Sequence, residues 1–519
     1  MKTAFVSFPG AEYTQAAAVR ATLKVIAPHG WDIQVGDGAH CALGRHNAQH
    51  ADESFAAPSG RDLYLVDYDL LPFENLLPGP SSSFRGKLPQ CSSYIIRKAL
   101  IRKHYLANAL NTYAVKLPPG PAADRFRTCT PRTWHLEIQF ADELDELLMD
   151  DLYDLAELLE ANQGALDDDR QDDVKWFILK PGMADRGNGI RMFSTLDQLQ
   201  TIFEEFEPES DGEDEHEEAE AGADRDHAAY VGKDTSVMAS QLRHFVIQEY
   251  IQSPLLVDPV SPADGSLATL TSHKLHIGDE ASCGARKFHL RAYVLCVAGL
   301  AVYLHDDMLT LFAPLAYQSP TEATVRDLRC HLTNTCLQQD GSLAVGNDAR
   351  PKEENVFLWT DLVGSPFYTA NTSTTIQDSS QQLSQQMIEE VRRKAAEVIG
   401  ASFEAAAKAG SIHWQMWPNA FEVFGVDLLV GYDDNVDAGK GENKELKVWL
   451  LEVNAQPDFA QTGARLSAVI DRLFERVCEI AVLPYHADAG SGDKDVTWKV
   501  GESRDGTTLC FREELGRGF

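Results

Sequence analysis

The sequence predicts a mixed α/β protein, with antiparallel sheets of the α+β kind through most of the chain after a small α/β unit. Three observations carry this reading. Short apolar strands around a helical stretch open the chain. From Lys175 onward, apolar runs of strand length recur, separated by Gly-containing turns. One long helical stretch, residues 382–409, ends at Gly410. At 519 residues and 44% hydrophobic content, the chain is long enough for two or three domains and a substantial core.

Taken in order, residues 3–8 and 62–66 read as strands around a helix at 13–26, a small α/β N-terminal domain over 1–80. Leu77-Pro78-Gly79-Pro80-Ser81-Ser82-Ser83 marks a linker or long loop. Residues 94–110 have helical spacing, with basic residues interleaved among apolar ones, and Leu117-Pro118-Pro119-Gly120-Pro121 punctuates again. Residues 142–161 read as an acidic amphipathic surface helix. Trp176-Phe177-Ile178-Leu179-Lys180-Pro181 is an apolar strand ending in a lysine, and a Gly-rich loop over 182–189 leads to a strand at 190–193. Phe245-Val246-Ile247-Gln248-Glu249-Tyr250-Ile251 supplies a third strand, and 287–295 with 301–304 reads as a hairpin. The main region spans 81–485. Gly, Asp and Ser content predicts a loosely attached tail over 486–519.

The formal net charge is −33, and its placement decides its meaning. Residues 204–226 hold thirteen acids against one arginine, over a third of the total, so 204–234 reads as an acidic disordered insert. The acidic balance elsewhere disfavours direct nucleic-acid binding through a basic surface. A local exception is Arg85-Gly86-Lys87 with Arg97-Lys98-Ala99-Leu100-Ile101-Arg102-Lys103-His104. It is either a basic helix face covering its own apolar side or a patch for an acidic partner. Nine cysteines without a Cys-x-x-Cys pair argue against a zinc site or a disulfide framework and for a reducing compartment. Apolar runs such as 293–304 are too short to span a membrane, and residues 1–10 lack the hydrophobic core of a signal peptide. A cytoplasmic protein without membrane association is expected.

The chemistry concentrates in three places. Trp449-Leu450-Leu451-Glu452-Val453-Asn454 is an apolar strand ending in a carboxylate and a carboxamide two residues apart, which strand alternation points the same way. Phe424-Gly425-Val426-Asp427-Leu428-Leu429-Val430 is a second strand with one acid, joined to the first by a polar connection that predicts antiparallel pairing. Asp427, Glu452 and Asn454 would then stand together, an oxygen set suited to a hard cation that also holds nucleotide phosphates. Third, glycines at 182, 187 and 189, with Lys180 and Arg186, suit a backbone lying close to a polyphosphate. Neither a Walker A pattern nor a dinucleotide fingerprint is present.

In this order the motifs resemble those of the tubulin–tyrosine ligase family, within the ATP-grasp superfamily, and a fungal member is one expectation. They are Ile178-Leu179-Lys180-Pro181 with Arg186-Gly187-Asn188-Gly189-Ile190, then Val246-Ile247-Gln248-Glu249-Tyr250-Ile251, then Lys287-Phe288-His289-Leu290-Arg291. His331-Leu332-Thr333-Asn334 and finally Phe424-Gly425-Val426-Asp427 with Leu451-Glu452-Val453-Asn454 complete the set. The resemblance implies an ATP-grasp fold whose antiparallel sheets clasp the nucleotide, with ATP and Mg²⁺ as cofactors. It implies that Lys180 binds ATP phosphates under a loop containing Arg186, Gly187 and Gly189, and that Gln248, Glu249 and Ile251 meet the adenine. Lys287 and Arg291 would face phosphate and the acceptor amino acid, and His331 and Asn334 the γ-phosphate. Asp427, Glu452 and Asn454 would hold magnesium, and Lys98 would be another nucleotide-facing lysine.

The implied reaction phosphorylates a carboxylate and joins it to an amino acid, with Lys287, Arg291 and Glu452 in the catalytic roles. The resemblance implies addition of tyrosine to the C-terminal glutamate of α-tubulin, whose acidic tail the basic stretch would meet. Glutamate or glycine ligation to side chains is the alternative within the same chemistry. A third expectation is an ATP-binding scaffold, because some fungal relatives look like partners of messenger-RNA decay assemblies. Two departures motivate it: His289 stands where the family usually has aspartate, and Leu309-Thr310-Leu311 where it usually places an arginine.

Overall fold

A computed structural model describes residues 1–36, 57–76, 87–182, 189–206, 244–259, 285–333, 355–369, 381–432, 445–487 and 498–513. Lys2–Ser7 pairs in parallel with Trp31–Val35 on one side and Leu63–Val66 on the other, and Gln90–Cys91 adds a fourth parallel strand. Parallel neighbours need a crossover, which the helix Glu12–Val25 supplies. Its buried residues, Thr14, Ala17, Ala18, Ala21 and Thr22, are all small. They fit because the helix Ser467–Val477 covers it from outside with Val469, Ile470 and Leu473. Residues from the far end of the chain therefore complete the core of the N-terminal unit.

Thr133–Glu137, His244–Glu249, Phe177–Pro181 and Arg191–Phe193 form, in that order, a four-stranded antiparallel sheet. The single acidic helix expected over 142–161 is two, Leu144–Met149 and Tyr153–Asp167. The break falls at Asp150, whose backbone leaves the helical region, and the adjacent pair Asp150-Asp151 is a poor helix former. Leu144, Leu148, Leu155 and Leu159 still reach the apolar layer under the sheet.

The third sheet is ten-stranded and organised around Arg286–Val297. That strand pairs antiparallel with Phe421–Tyr432, Leu309–Phe312 and Ala301–His305, the last being the expected hairpin. Its residues Phe288, Leu290, Ala292, Val294 and Cys296 enter the core beneath the helix Gln385–Ala409. By the two-residue period of a strand, Lys287, His289 and Arg291 face the other way, yet they too are buried. Buried cations on a sheet face need a reason.

Leu446–Ala455 pairs antiparallel with Phe421–Tyr432, as expected. Its core-facing residues are Leu446, Val448, Leu450 and then Val453. The step of three is a β-bulge: Asp427 pairs with Glu452 while Leu428 pairs with Leu450, leaving Leu451 without an opposite. The extra residue switches faces. Glu452 and Asn454 thereby leave the core side and join Asp427.

The loosely attached tail expected over 486–519 is corrected for its described part. Thr507–Arg512 pairs antiparallel with Ala301–His305 and buries Leu509 and Cys510. Gly400 of the long helix makes room, since a Cβ there would stand 2.5 Å from the Cys510 carbonyl oxygen. The glycine and aspartate content that reads as looseness serves a tight turn: Asp505 and Gly506 adopt positive φ between Ser503–Arg504 and Thr507–Arg512. No helix among the described residues is long and apolar enough to cross a membrane.

Candidate active site

The buried face of Arg286–Val297 looks across a cleft at the strands Phe177–Pro181 and His244–Glu249. Lys180, Gln248, Glu249, Ile251, Lys287, His331, Asp427 and Glu452 line that cleft, which encloses about 720 Å³ with its open mouth included. Pro131, Ile178, Ile190, Leu332, Leu429 and Leu451 supply apolar walls. Apolar walls with a few convergent polar groups describe a small-molecule site.

At one end stand the carboxylates. Arg291 donates to both oxygens of Asp427, from Nε at 2.5 Å and from a terminal nitrogen at 3.1 Å. Burial works against the guanidinium charge, but Asp427 outweighs it and raises Arg291 further. Asn454 Nδ2 donates to Asp427 and to Glu452, each at 3.3 Å. Lys103 Nζ lies 3.3 Å from Glu452. Burial alone would raise the Glu452 carboxyl, but Lys103, Lys180 and the Asn454 amide hold it well below the usual carboxylate range.

Along the cleft, Lys180 Nζ donates to Gln248 Oε1 at 2.8 Å, and Gln248 Nε2 donates to Thr133 Oγ1 at 3.1 Å. Burial lowers Lys180 to about 8. Lys287 is lowered to about 7, first by burial and then by Lys180. His289 lies against Thr333 through Nδ1 and has Nε2 3.6 Å from Asp427. Burial lowers its pKa, so it is neutral at neutral pH and brings no negative charge. His331, lowered to about 4 by burial and Lys287, is neutral too.

Lys103, Lys180, Lys287 and Arg291 thus stand against Asp427, Glu452 and, on the cleft wall, Glu249, in a chain whose net charge is −33. An entering polyanion would also favour the charged forms of Lys180 and Lys287. A divalent cation fits the carboxylate end, where Asp427, Glu452 and Asn454 bring hard oxygen-bearing groups together. The Asn454 amide already bridges the carboxylates, and an amide flip would present its oxygen instead. Among the described residues no three His, Cys, Asp or Glu side chains could hold a metal by themselves, so a cation there would draw further ligands from phosphate.

Most of the residues proposed from sequence therefore converge. Arg291 and Asn454 are bonded to the cleft carboxylates, and Gly189 closes the strand pair beside Lys180. At Gly189 φ is +72°, and a Cβ would stand 2.8 Å from Pro181 Cγ, so only glycine fits. Arg186, Gly187 and Asn334 lie outside the described residues, as does the acidic insert. Lys98 is exposed and lines neither the cleft nor the cavity beside it, and Lys103 makes the contact to Glu452 instead. The chain turns between Lys98–Ile101 and Lys103–Lys116, and spacing alone does not reveal that turn. Sequence reasoning also passed over Tyr250 and Thr333, which lie inside quoted motifs but look like spacers there.

The basic stretch is not one continuous patch. Arg97 is buried against Glu422, Lys103 is tied to Glu452, and Lys87 donates to the carbonyls of Tyr485 and Ala487. Leu309 and Leu311 pack into the core, and Thr310 is fully buried. No cation comes from that strand.

The sequence pattern of the Tubulin-tyrosine ligase family matches residues 135–489. A protein of Schizosaccharomyces pombe named "probable tubulin–tyrosine ligase" is 35% identical over 81% of this chain and 82% of its own length. One of Saccharomyces cerevisiae with the same description, PBY1, is 33% identical over 80% of this chain, which spans 45% of that protein. Among solved structures, the C-terminal domain of K. lactis Pby1 superposes with a TM-score of 0.53 and 25% identity, covering 99% of this chain and all of that one. That domain is described as an ATP-grasp enzyme interacting with the mRNA decapping enzyme Dcp2. The mixed α/β architecture with its antiparallel sheets is accordingly of the ATP-grasp kind, a fold that implies ATP binding. The chain belongs to the tubulin–tyrosine ligase family.

Proposed function

We propose that the protein is a cytoplasmic, ATP- and Mg²⁺-dependent carboxylate–amine ligase that adds tyrosine to the C-terminal glutamate of α-tubulin. The observation that carries this reading is the meeting of Asp427, Glu452 and Asn454 at one end of a cleft whose other walls present Lys180 and Lys287. The nucleotide's base would lie between the apolar walls near Gln248, Glu249 and Ile251, with its phosphates toward Lys180 and Lys287. An acceptor carboxylate oxygen takes the γ-phosphoryl group, giving an acyl phosphate and ADP. The amine of the amino acid then attacks the acyl carbon, phosphate leaves, and the nitrogen loses a proton to form the amide. Mg²⁺, held by Asp427, Glu452 and Asn454, would supply charge neutralisation at the phosphates. The chain's own share is position and charge, with Lys180, Lys287 and Arg291 offsetting what develops on transfer.

A second reading has its own support. The solved relative that covers nearly the whole chain is described as a partner of a decapping enzyme. Here His289, neutral, stands beside Asp427 where the family resemblance implies an acid. An ATP-binding partner in mRNA decay would bind nucleotide without transferring it. The two separate on one assay: incorporation of labelled tyrosine into detyrosinated tubulin with Mg-ATP. Incorporation that falls at least about a hundredfold in Glu452→Gln supports the ligase, on the scale of a lost charge contact in a transition state. ATP binding without incorporation of tyrosine, glutamate or glycine would sink it and leave the partner reading.

A further inference from the structure

Lys287 differs from the other cations of the cleft. Arg291 is tied to Asp427, Lys103 to Glu452, and Lys180 to the Gln248 side-chain oxygen. The Lys287 ammonium lies instead over the ring of Tyr250, 3.9 Å from its centroid. Among the described residues it forms no ion pair. The face of an aromatic ring attracts a cation without neutralising it, and leaves the ammonium hydrogens free for another acceptor.

The same tyrosine reaches a second cleft residue. Its hydroxyl stands 3.1 Å from His331 Nδ1, and the two rings meet edge to face at 84°. Tyr250 is 2% exposed and His331 1%. Tyr317 packs on the His331 ring as well, at 87°. The ring is thus held, while its other nitrogen, Nε2, is buried without a hydrogen-bond partner among the described residues. A neutral imidazole has one N–H to place. Burial raises the Tyr250 phenol well above its usual range, so it keeps its proton and can donate it to Nδ1. When the phenol donates to Nδ1, the histidine hydrogen sits on Nε2.

We propose that Tyr250 is a positioning residue of the nucleotide site: its ring presents the Lys287 ammonium, and its hydroxyl presents His331 Nε2–H, to the phosphates of bound ATP. This rests on the reading of the cleft as an ATP site. One side chain, between the adenine-facing Glu249 and Ile251, would couple base recognition to phosphate recognition.

The test is a titration of the full-length chain with ATP and, separately, with adenosine, which has the base and lacks the phosphates. Tyr250→Leu, which loses ring and hydroxyl, is expected to weaken ATP about thirtyfold, the effect of a desolvated cation–π contact. Tyr250→Phe keeps the ring and is expected to weaken ATP about fivefold, the effect of one hydrogen bond. Adenosine should bind alike to all three. Equal losses for ATP and adenosine mark a merely structural role and overturn the proposal, as does wild-type ATP affinity in Tyr250→Leu. Should Tyr250→Leu fail to fold, Tyr250→Phe decides: an ATP-specific loss supports the proposal and unchanged affinity overturns it. A wild type that binds no ATP overturns the site reading itself, and the proposal with it.

Discussion

The strand Phe421–Tyr432 carries two buried arginine–carboxylate pairs, five residues apart and on opposite faces. At one end Glu422 meets Arg97 Nε at 2.7 Å, and its other oxygen accepts from the Tyr94 N–H at 3.0 Å. The guanidinium lies 4.0 Å over the Tyr68 ring and donates to the Tyr94 carbonyl. The pair fastens residues 94–97 to the sheet. Asp427, further along, holds Arg291 as closely, but it also touches Asn454, approaches His289 and lines an open cleft. The two pairs share their chemistry and their burial. What separates them is that Asp427 lines a cleft and Glu422 does not. A buried ion pair is thus no mark of a site; one with coordination to spare beside a cleft is.

The comparison breaks most visibly on the arginines. Arg97→Ala leaves Glu422 buried without a counter-charge, and a denaturant melt should show about 3–5 kcal/mol lost. ATP affinity of the folded protein should stay at the wild-type value. Arg291→Ala should lose only about 1–2 kcal/mol, because Asn454 and water in the cleft can still satisfy Asp427. Its loss should appear in ligation, at least about a hundredfold. If Arg291→Ala melts as low as Arg97→Ala and still ligates, the distinction between the two pairs is wrong.

Much of this was legible in the chain, and the exceptions have physical causes. The hairpin, the antiparallel pairing of the two acid-bearing strands and the meeting of Asp427 with Glu452 follow from strand periodicity and a polar connection. The bulge at Leu451 does not, since nothing in Leu450-Leu451-Glu452 says which residue will be left unpaired. Arg97 was read as part of a basic surface, because its partner Glu422 lies 325 residues away and only the fold brings them together. The C-terminal strand was missed because a turn of Asp505-Gly506 and a disordered tail share a composition. Short-range signals were readable; charge partners across the fold were not.

Acidity sharpens the contrast further. Burial raises the Glu422 carboxyl from 4.5 to about 7, outweighing Arg97. Between those values the folded chain keeps a proton that the unfolded chain has released. Stability from this group is therefore fully present below pH 4.5 and is lost as pH rises through 7, by on the order of 3 kcal/mol. Glu422→Gln cannot lose that proton, so melts of the variant and the wild type should converge at low pH and separate as pH rises. A variant with the wild-type slope would remove Glu422 as its source.

The smallest effect belongs to a third arginine–carboxylate pair, which serves as the control. Arg20 on the helix Glu12–Val25 meets Asp471 on the helix Ser467–Val477 at 2.7 Å, the same separation as Arg97 and Glu422. Its side chains are 56% and 34% exposed, where those of the buried pair are 9% and 3%. Water screens the attraction, and both side chains lose freedom in forming it, so Arg20→Gln should lose less than about 1 kcal/mol. In 1 M salt, where the screening length falls to about 3 Å, the difference from wild type should shrink further. Arg97→Ala should keep most of its loss in the same salt, because ions do not enter a closed core. If the two losses proved equal, distance rather than burial would rank these pairs, and the case for Asp427 as the accessible one would have to rest on the cleft alone.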